Sequence, residues 1–558
     1  MPYHSHYHRK RSYHRSYSGG GYRPRRHRGR LRVGRLLLLI LIFAAVIAGI
    51  VFGIMFLTKT GVFSTEDVAR SADGSQSVSS FEPAYASAPA AAAPAAADST
   101  QPTAFGLSFE IEQEGNTVSS AVRAKDILFP SANDYSLLSG IALANGNNYR
   151  SAKSFGALSE RAGSLETAWH EKTTSSSLQP LIVKWEADLR QMMELYPEKQ
   201  NKDGLVEVLS LQDDGTLAFQ DLSDGSPTRD ALSLGSGSSF ALDPRGYPLL
   251  YAGGGTEDPS IRIYSLLSGE LLYRYDSQTD TFSPADTEKG FSCSPLVSAD
   301  ADTLVWAGNN GVLYTFVLNS DFDRAAGTVS VNPDSPVKYR YSISSGAENE
   351  NYSITGLCAW RGYAFVTDSG GYLQCIDLNT MNPVYIQYLN GACAAAPLLE
   401  EEADGIYLYI GTSASNAASS LYKIKGLSGE IIWQREFSCG EAGGVLSTPV
   451  PGYGSLDGAV LCTVSHADGS YSVVYSLADD TGEIKWEYQT GLAASDSPVP
   501  IYTPDGAAAV FLSAEGRAVL LDNSGTLLDS LDVPESTGAP AAIFGSTAVF
   551  GGTGILLG

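Results

Sequence analysis

The sequence predicts an all-β fold. It is a β-propeller of about eight four-stranded blades, with seven as the alternative, preceded by one transmembrane helix and a flexible linker. Three observations predict it. First, one phrase recurs: an apolar strand, a tight turn closing on Gly, and a second strand carrying an aromatic. It reads IRIYSLLSGELLYRY from Ile261, LYKIKGLSGEIIWQREF from Leu421, VVYSLADDTGEIKWEY from Val473 and, more worn, AVLLDNSGTLLDSL from Ala518. Second, the turn residues Gly429, Gly482 and Gly525 lie about 40 to 50 residues apart, the period of propeller blades. Third, the aromatic keeps its place after the turn glycine: Gly269 to Tyr273, Gly429 to Trp433, Gly482 to Trp486.

The N-terminal elements come first in the chain. Residues 1–63 hold twelve Lys or Arg and no acidic residue, which leaves 25 basic against 61 acidic residues beyond them, a net of −36. Residues 1–35 are a low-complexity basic tail without apolar periodicity, expected to be disordered. Its alternating His4, His6 and His8 could bind a metal, but a basic juxtamembrane tail on anionic lipid explains them better. Residues 36–57, Leu36 to Leu57, are twenty-two uncharged, mostly branched or aromatic residues. As a helix they span about 33 Å, slightly more than a bilayer core. Six arginines, Arg25 to Arg35, precede them and put the N-terminus in the cytoplasm and the bulk of the chain outside. The run is too long for a signal peptide and no A-x-A site follows promptly, so an uncleaved signal anchor is expected. No Cys precedes Cys293, which excludes a lipoprotein anchor. Residues 58–104, rich in Ala, Pro and Ser, read as a semi-extended spacer. Residues 105–135 form a short β-rich lead-in with a turn near Glu114-Gly115-Asn116.

Residues 136–558 make the propeller. The first blade holds LIVKWEADLRQMMELY, whose later part has helical spacing, and a hairpin around Asp213-Asp214-Gly215. The second runs from Ser239 to Asp276, the third starts at Ser292 and the fourth at Ser353. The fifth contains Gly429, the sixth Gly482 and the seventh Gly525. The last unit, PAAIF, TAVFGGT and GILLG, supplies about three strands of the four a blade needs. The missing outer strand is expected from SLETAWHEK around Trp169, which would close the ring and remove two exposed sheet edges.

These repeats resemble the pyrroloquinoline quinone (PQQ) repeat, whose usual form is LDxxTGxxxW; Gly429 to Trp433 and Gly482 to Trp486 match it best. The stretch GIALANGNNYRSAKSFG from Gly140 is similar to the G-x-N-x-x-R lead-in of such propellers. The resemblance spans roughly the last three-quarters of the chain and implies the fold. The family holds quinoprotein alcohol dehydrogenases as well as non-catalytic envelope propellers, such as the lipoprotein of the outer-membrane assembly machinery.

The dehydrogenase branch would bring a vicinal Cys-Cys pair, a Trp beneath the quinone and a Ca²⁺ ion. This chain has no Cys-Cys and no C-x-x-C-H. Its six cysteines, Cys293, Cys358, Cys375, Cys393, Cys439 and Cys462, are scattered. The acidic pairs Asp213-Asp214, Asp300 with Asp302, and Asp479-Asp480 fall at turns and read as local backbone caps. Only His170 and His466 lie outside the tail, and Glu400-Glu401-Glu402 read as a solvated loop. There is no G-x-S-x-G, H-E-x-x-H or P-loop. The glycine-rich YAGGGTED and FGGTGILLG follow strands but open no helix.

The expected catalytic, cofactor-binding and metal residues are therefore none, with no cofactor; PQQ and calcium enter only through the resemblance. Trp433, Trp486 and Tyr273 are expected to be structural, filling the wedge between blades. The expectation is a single-pass protein of the cell membrane, its propeller outside, acting as a non-catalytic binding scaffold in a bacterial cell envelope. A PQQ-dependent dehydrogenase is the alternative. Expected partners are the membrane, anionic lipid for the tail and an envelope protein. The acidic ectodomain argues against nucleic acid and allows a basic partner.

Overall fold

The computed structural model describes residue 81 and residues 87–171, 178–235, 237–284, 287–345, 348–494, 496–537 and 540–558. The basic tail, the apolar span and the first part of the spacer lie outside the described residues. Among the described residues, no helix is long and apolar enough to cross a membrane.

The propeller is built from eight antiparallel-based sheets in chain order. Sheet 1 joins Ser139–Ile141, Leu181–Lys184, Glu207–Leu211, Thr216–Asp221 and Leu232–Ser233. Sheet 2 covers Gly237–Leu242 to Leu271–Asp276, and sheet 3 Leu296–Ser298 to Val337–Ser345. Sheets 4, 5 and 6 each have four strands and end at Pro383–Tyr388, Ile431–Ser438 and Ile484–Gln489. Sheet 7 has three elements, Val499–Tyr502, Ala508–Asp522 and Leu527–Thr537. Its long middle element turns at Gly516 (φ +70°): the first half pairs with Val499–Tyr502 and the second with Leu527–Thr537. Sheet 8 joins Ser154–Phe155, Ala542–Phe544, Thr547–Phe550, Thr553–Leu557 and Leu165–His170. Seven of the sheets have four strands or more and are full blades, the alternative count rather than the expected eight; sheet 7 has three elements.

The sheets form a closed ring because each packs on the next. Leu461 and Val474 of sheet 6 share a core with Val510 and Val519 of sheet 7. Phe511 of sheet 7 shares one with Ile543 and Ile555 of sheet 8. Phe544 and Val549 of sheet 8 pack with Ile182 and Val208 of sheet 1. The borrowed strand expected around Trp169 is Leu165–His170, paired antiparallel with Thr553–Leu557 from His170↔Thr553 to Leu165↔Leu557.

The recurring Gly and aromatic fit each other across blades. Trp433 Nε1 donates to the carbonyl of Asp479 at 2.9 Å, and Trp486 Nε1 to that of Asn523 at 3.0 Å. A Cβ on Gly482 would meet the Trp433 ring at 2.7 Å, and one on Gly525 the Trp486 ring at 2.6 Å. Both glycines also hold positive φ, +69° and +79°, which an L side chain resists. The turn is thus restricted twice, by backbone conformation and by the ring lying on it. Both indoles are partly rather than fully buried.

One expectation is corrected. The spacer over residues 58–104 is, from Ser87 to Thr100, a strap packed on sheets 4 and 5. Ala88 is buried in the core of Trp360, Tyr385 and Ile424, with Ala92 and Ala96 packed against it. The Arg361 guanidinium, stacked over Trp360 at 4.1 Å, donates to the carbonyls of Ala88, Pro89, Ala90 and Ala92. Ala95 N–H donates to Leu427 O at 2.8 Å, and Thr100 Oγ1 to Ser428 O at 2.6 Å. Small side chains and free carbonyls make the contact, so composition without core residues did not announce it. The lead-in strand Leu107–Gln113 pairs with Val337–Ser345 on the outer edge of sheet 3. A ribbon inserted in sheet 3, Asp321–Asp323 with Thr328–Ser330, places Arg324 against Glu186 and Asp188 beside the helix Ala187–Met192.

Candidate functional site

The inner strand of each sheet runs from one face of the ring, here the entry face, to the other, the exit face. The channel they enclose is threaded by residues 142–155. This segment turns there through three residues at positive φ: Asn145 at +60°, Gly146 at +82°, where a Cβ would strike Ala152 O at 1.8 Å, and Arg150 at +63°. It hydrogen-bonds to one inner strand after another. Ala142 O accepts from Leu242 N–H in sheet 2, Asn148 O from Ala359 N–H in sheet 4, and Tyr149 O from Leu399 N–H in sheet 5. Lys153 O accepts from Ile543 N–H in sheet 8, and Ser154 Oγ donates to Pro500 O in sheet 7.

Its charged side chains do the same work. Arg150, 2% exposed, donates to Leu357 O at 2.8 Å, Ser294 O at 2.6 Å and Ala144 O at 3.1 Å. It thereby ties sheets 3 and 4 to the segment. Burial lowers its pKa. Lys153, 3% exposed, donates to both oxygens of Asp496 at 2.6 and 2.7 Å. Tyr149 Oη donates to Glu401 Oε2 at 2.9 Å, and Trp360 Nε1 to Glu401 Oε1 at 2.8 Å.

Two chambers flank the segment. On the entry face a space of about 270 Å³ is lined by the starts of the inner strands, including Cys293, Ser294, Thr355, Ser447, Thr448 and Asp496, with Arg150 in its floor. On the exit face a pocket of about 230 Å³ is lined by Asn147, Ser151, Lys153, Phe155, Tyr453 and Tyr502 among others, with Phe81 at its wall. The Lys153–Asp496 pair stands between the two.

A quinone with calcium does not fit the entry chamber. Asp496 is the one carboxylate among the described residues lining it, and Lys153 already holds both its oxygens. Cys293 lies there without a vicinal partner; burial pushes its thiol up to about 12.

The remaining residues singled out in the sequence are dispersed. All six cysteines are free and buried. Cys358 and Cys375 sit on the first and third strands of sheet 4, each opposite Phe365. His170 ends the borrowed strand, its Nδ1 2.8 Å from Thr553 Oγ1, and His466 stacks on Tyr471 at a turn. Asp214 caps its turn by accepting from Thr216 N–H, and Asp302 pairs with Arg245. Glu400-Glu401-Glu402 are not a loop: they lie on the inner strand Leu398–Glu402, with Glu402 paired to Lys423. Among the described residues no group of three or more His, Cys, Asp or Glu is arranged to hold a metal ion. In the sequence the stretch from Gly140 reads as a lead-in; in the structure its Asn147 to Arg150 are among the residues that fill the channel.

No family model and no curated protein matches the sequence. Solved structures with similar shape include BamB from Moraxella catarrhalis, 17% identical, covering 57% of this chain and 80% of that one at a TM-score of 0.35. The computationally designed Ika8 protein is 11% identical and covers 70% and 99% at 0.43. The quinohemoprotein alcohol dehydrogenase from Comamonas testosteroni is 11% identical and covers 68% and 77% at 0.40. The fold assignment rests on the sheets and their packing, not on these distant likenesses.

Proposed function

We propose that this protein is a membrane-anchored extracytoplasmic propeller that acts as a non-catalytic binding scaffold in the bacterial cell envelope. The observation that carries the reading is the filled channel. Arg150 and Lys153 of the channel segment are committed to backbone carbonyls and to Asp496 and so hold blades together. A propeller whose axis is used for structure presents its faces and turns for binding. The apolar run Leu36 to Leu57 and its arginine flank supply the anchor, and the acidic ectodomain favours a basic partner.

The test is purification of the full chain from membranes, with co-purifying proteins identified and dye-linked alcohol oxidation assayed with and without added PQQ and Ca²⁺. A stoichiometric partner and no PQQ-dependent turnover is the expected result. Turnover that requires added PQQ would overturn the scaffold reading in favour of a dehydrogenase.

A further inference from the structure

The entry chamber holds a charge that its lining does not balance. Arg150 lies in its floor, and the acceptors of its guanidinium, Ala144 O, Ser294 O and Leu357 O, all belong to residues that line the same chamber. These carbonyls are neutral, and they use three of the five N–H groups that a guanidinium carries. Asp496 is matched by Lys153, and the Cys293 thiol, pushed up to about 12 by burial, is neutral. Among the described residues, the ionisable groups at the chamber therefore sum to a single positive charge, that of Arg150. Residues 172–177, 495 and 538–539 adjoin the lining residues Leu178, Asp496 and Pro540 in sequence, and they include no acidic residue.

Tying sheets 3 and 4 together does not require this charge. A neutral amide donates to carbonyls as well, without the cost of taking a full charge out of water. The backbone is also bent to place the group, since Arg150 holds φ +63°, where an L residue is strained. Around it the lining is small and uncharged, with Ala395, Ala396, Gly356, Thr355 and Ser447. The space of about 270 Å³ falls below the roughly 300–1,000 Å³ of sites for drug-sized ligands, so it suits a small acid or the end of a chain.

We propose that the entry chamber is a binding site for a single carboxylate, borne by a small organic acid or by the C-terminus of a peptide, with Arg150 as its counter-ion. One positive charge calls for one negative charge, and a carboxylate is the acceptor that a guanidinium matches in shape. The small residues around Arg150 leave room beside the carboxylate for a short substituent only. This inference rests on the scaffold reading and names the ligand chemistry of the entry face.

The experiment titrates the full chain in detergent with a rhodamine-labelled Gly-Gly-Ser-Ala peptide ending in a free carboxylate, with the same peptide amidated, and with acetate followed by saturation-transfer NMR. The free acid is expected to bind at least about tenfold tighter than the amide, because hydrogen bonds to an ionised acceptor are the stronger ones. Displacement of the peptide by acetate identifies small acids as the ligands, whereas retention of the peptide in excess acetate identifies the chain end; either supports the proposal. Arg150→Gln keeps a donor for the carbonyls and removes the charge, and is expected to weaken binding at least about tenfold. Ala395→Leu fills the chamber and leaves the Arg150 bonds in place, so it is expected to abolish binding even if the first variant fails to fold. Equal binding of acid and amide, binding that survives Ala395→Leu, or no saturable binding of either peptide or acetate overturns the proposal. A partner that still co-purifies with the chain in that event leaves the scaffold reading standing, so the two failures register separately.

Discussion

Trp169 lies on Gly225 as Trp433 lies on Gly482. Its indole Nε1 donates to Leu222 O at 2.8 Å, and a Cβ on Gly225 would strike its ring at 2.7 Å. Trp169 is far upstream of the strands it completes, yet it occupies in sheet 8 the place that the repeat aromatic holds in sheets 5 and 6. The borrowed strand thus brings both the missing ladder and the missing wedge, and the last blade meets the first by the contact used elsewhere in the ring.

Truncating that wedge opens the ring at its seam. Trp169→Ala removes a buried large side chain and is expected to cost about 3–5 kcal/mol, as large-to-small core changes do. Trp486→Ala, at a partly buried ring, is expected to cost less, about 2 kcal/mol. Chemical denaturation of the two variants checks the order. Equal losses would show that the seam is no more demanding than an internal blade interface.

Deleting Leu165–His170 is expected to abolish cooperative melting, because Thr553–Leu557 then becomes an exposed edge and the seam loses its aromatic. Differential scanning calorimetry reads this directly. A soluble deletion product with a single sharp transition would refute closure by the borrowed strand.

The Lys153–Asp496 pair gives a double-mutant test of the channel segment. Lys153→Met alone leaves Asp496 buried without its counter-ion and is expected to cost about 3–5 kcal/mol. Adding Asp496→Leu is expected to restore most of that loss, since a buried pair replaced by apolar groups is often neutral. Denaturant midpoints of the single and double variants measure it. Additive losses would mean that each residue acts alone.

The ring was legible because its signals are periodic and made by side chains. Gly429, Gly482 and Gly525 must be glycine for conformation and for the overlying ring, and Trp433 and Trp486 must be large, so both survive as a repeat. Trp169 was legible because a blade short of one strand needs it. The channel segment was only half legible. Its contacts run through the carbonyls of Ala142, Asn148, Tyr149 and Lys153, which any residue supplies, so the sequence shows Arg150 without showing what it binds. The strap was illegible for the same reason: Arg361 reads four carbonyls, and Ala88 fits because it is small.

Buried carboxyls set the pH dependence. Asp368, 1% exposed, accepts from Tyr341 Oη and from the N–H groups of Gly370 and Tyr372. Burial nonetheless dominates and pushes its pKa up to about 7. Burial, with Asp479 nearby, likewise pushes Glu400 up to about 8. A carboxyl raised in the folded state binds a proton that the unfolded chain has already released. Its contribution is fully present below about pH 4 and is lost as pH rises through its folded pKa. For Asp368 the shift corresponds to a loss on the order of 4 kcal/mol between pH 4 and 7. Asp221, held down to about 2 by Lys199 and Lys202 against the opposing effect of burial, acts in the opposite sense only below pH 4. Unfolding free energy is therefore expected to fall from pH 5 to pH 8, and Asp368→Asn, which cannot ionise, is expected to flatten the part of the slope below pH 7. Urea titrations at three pH values measure both slopes. An unchanged slope in Asp368→Asn would place the proton uptake elsewhere, with Glu400 the next group to replace.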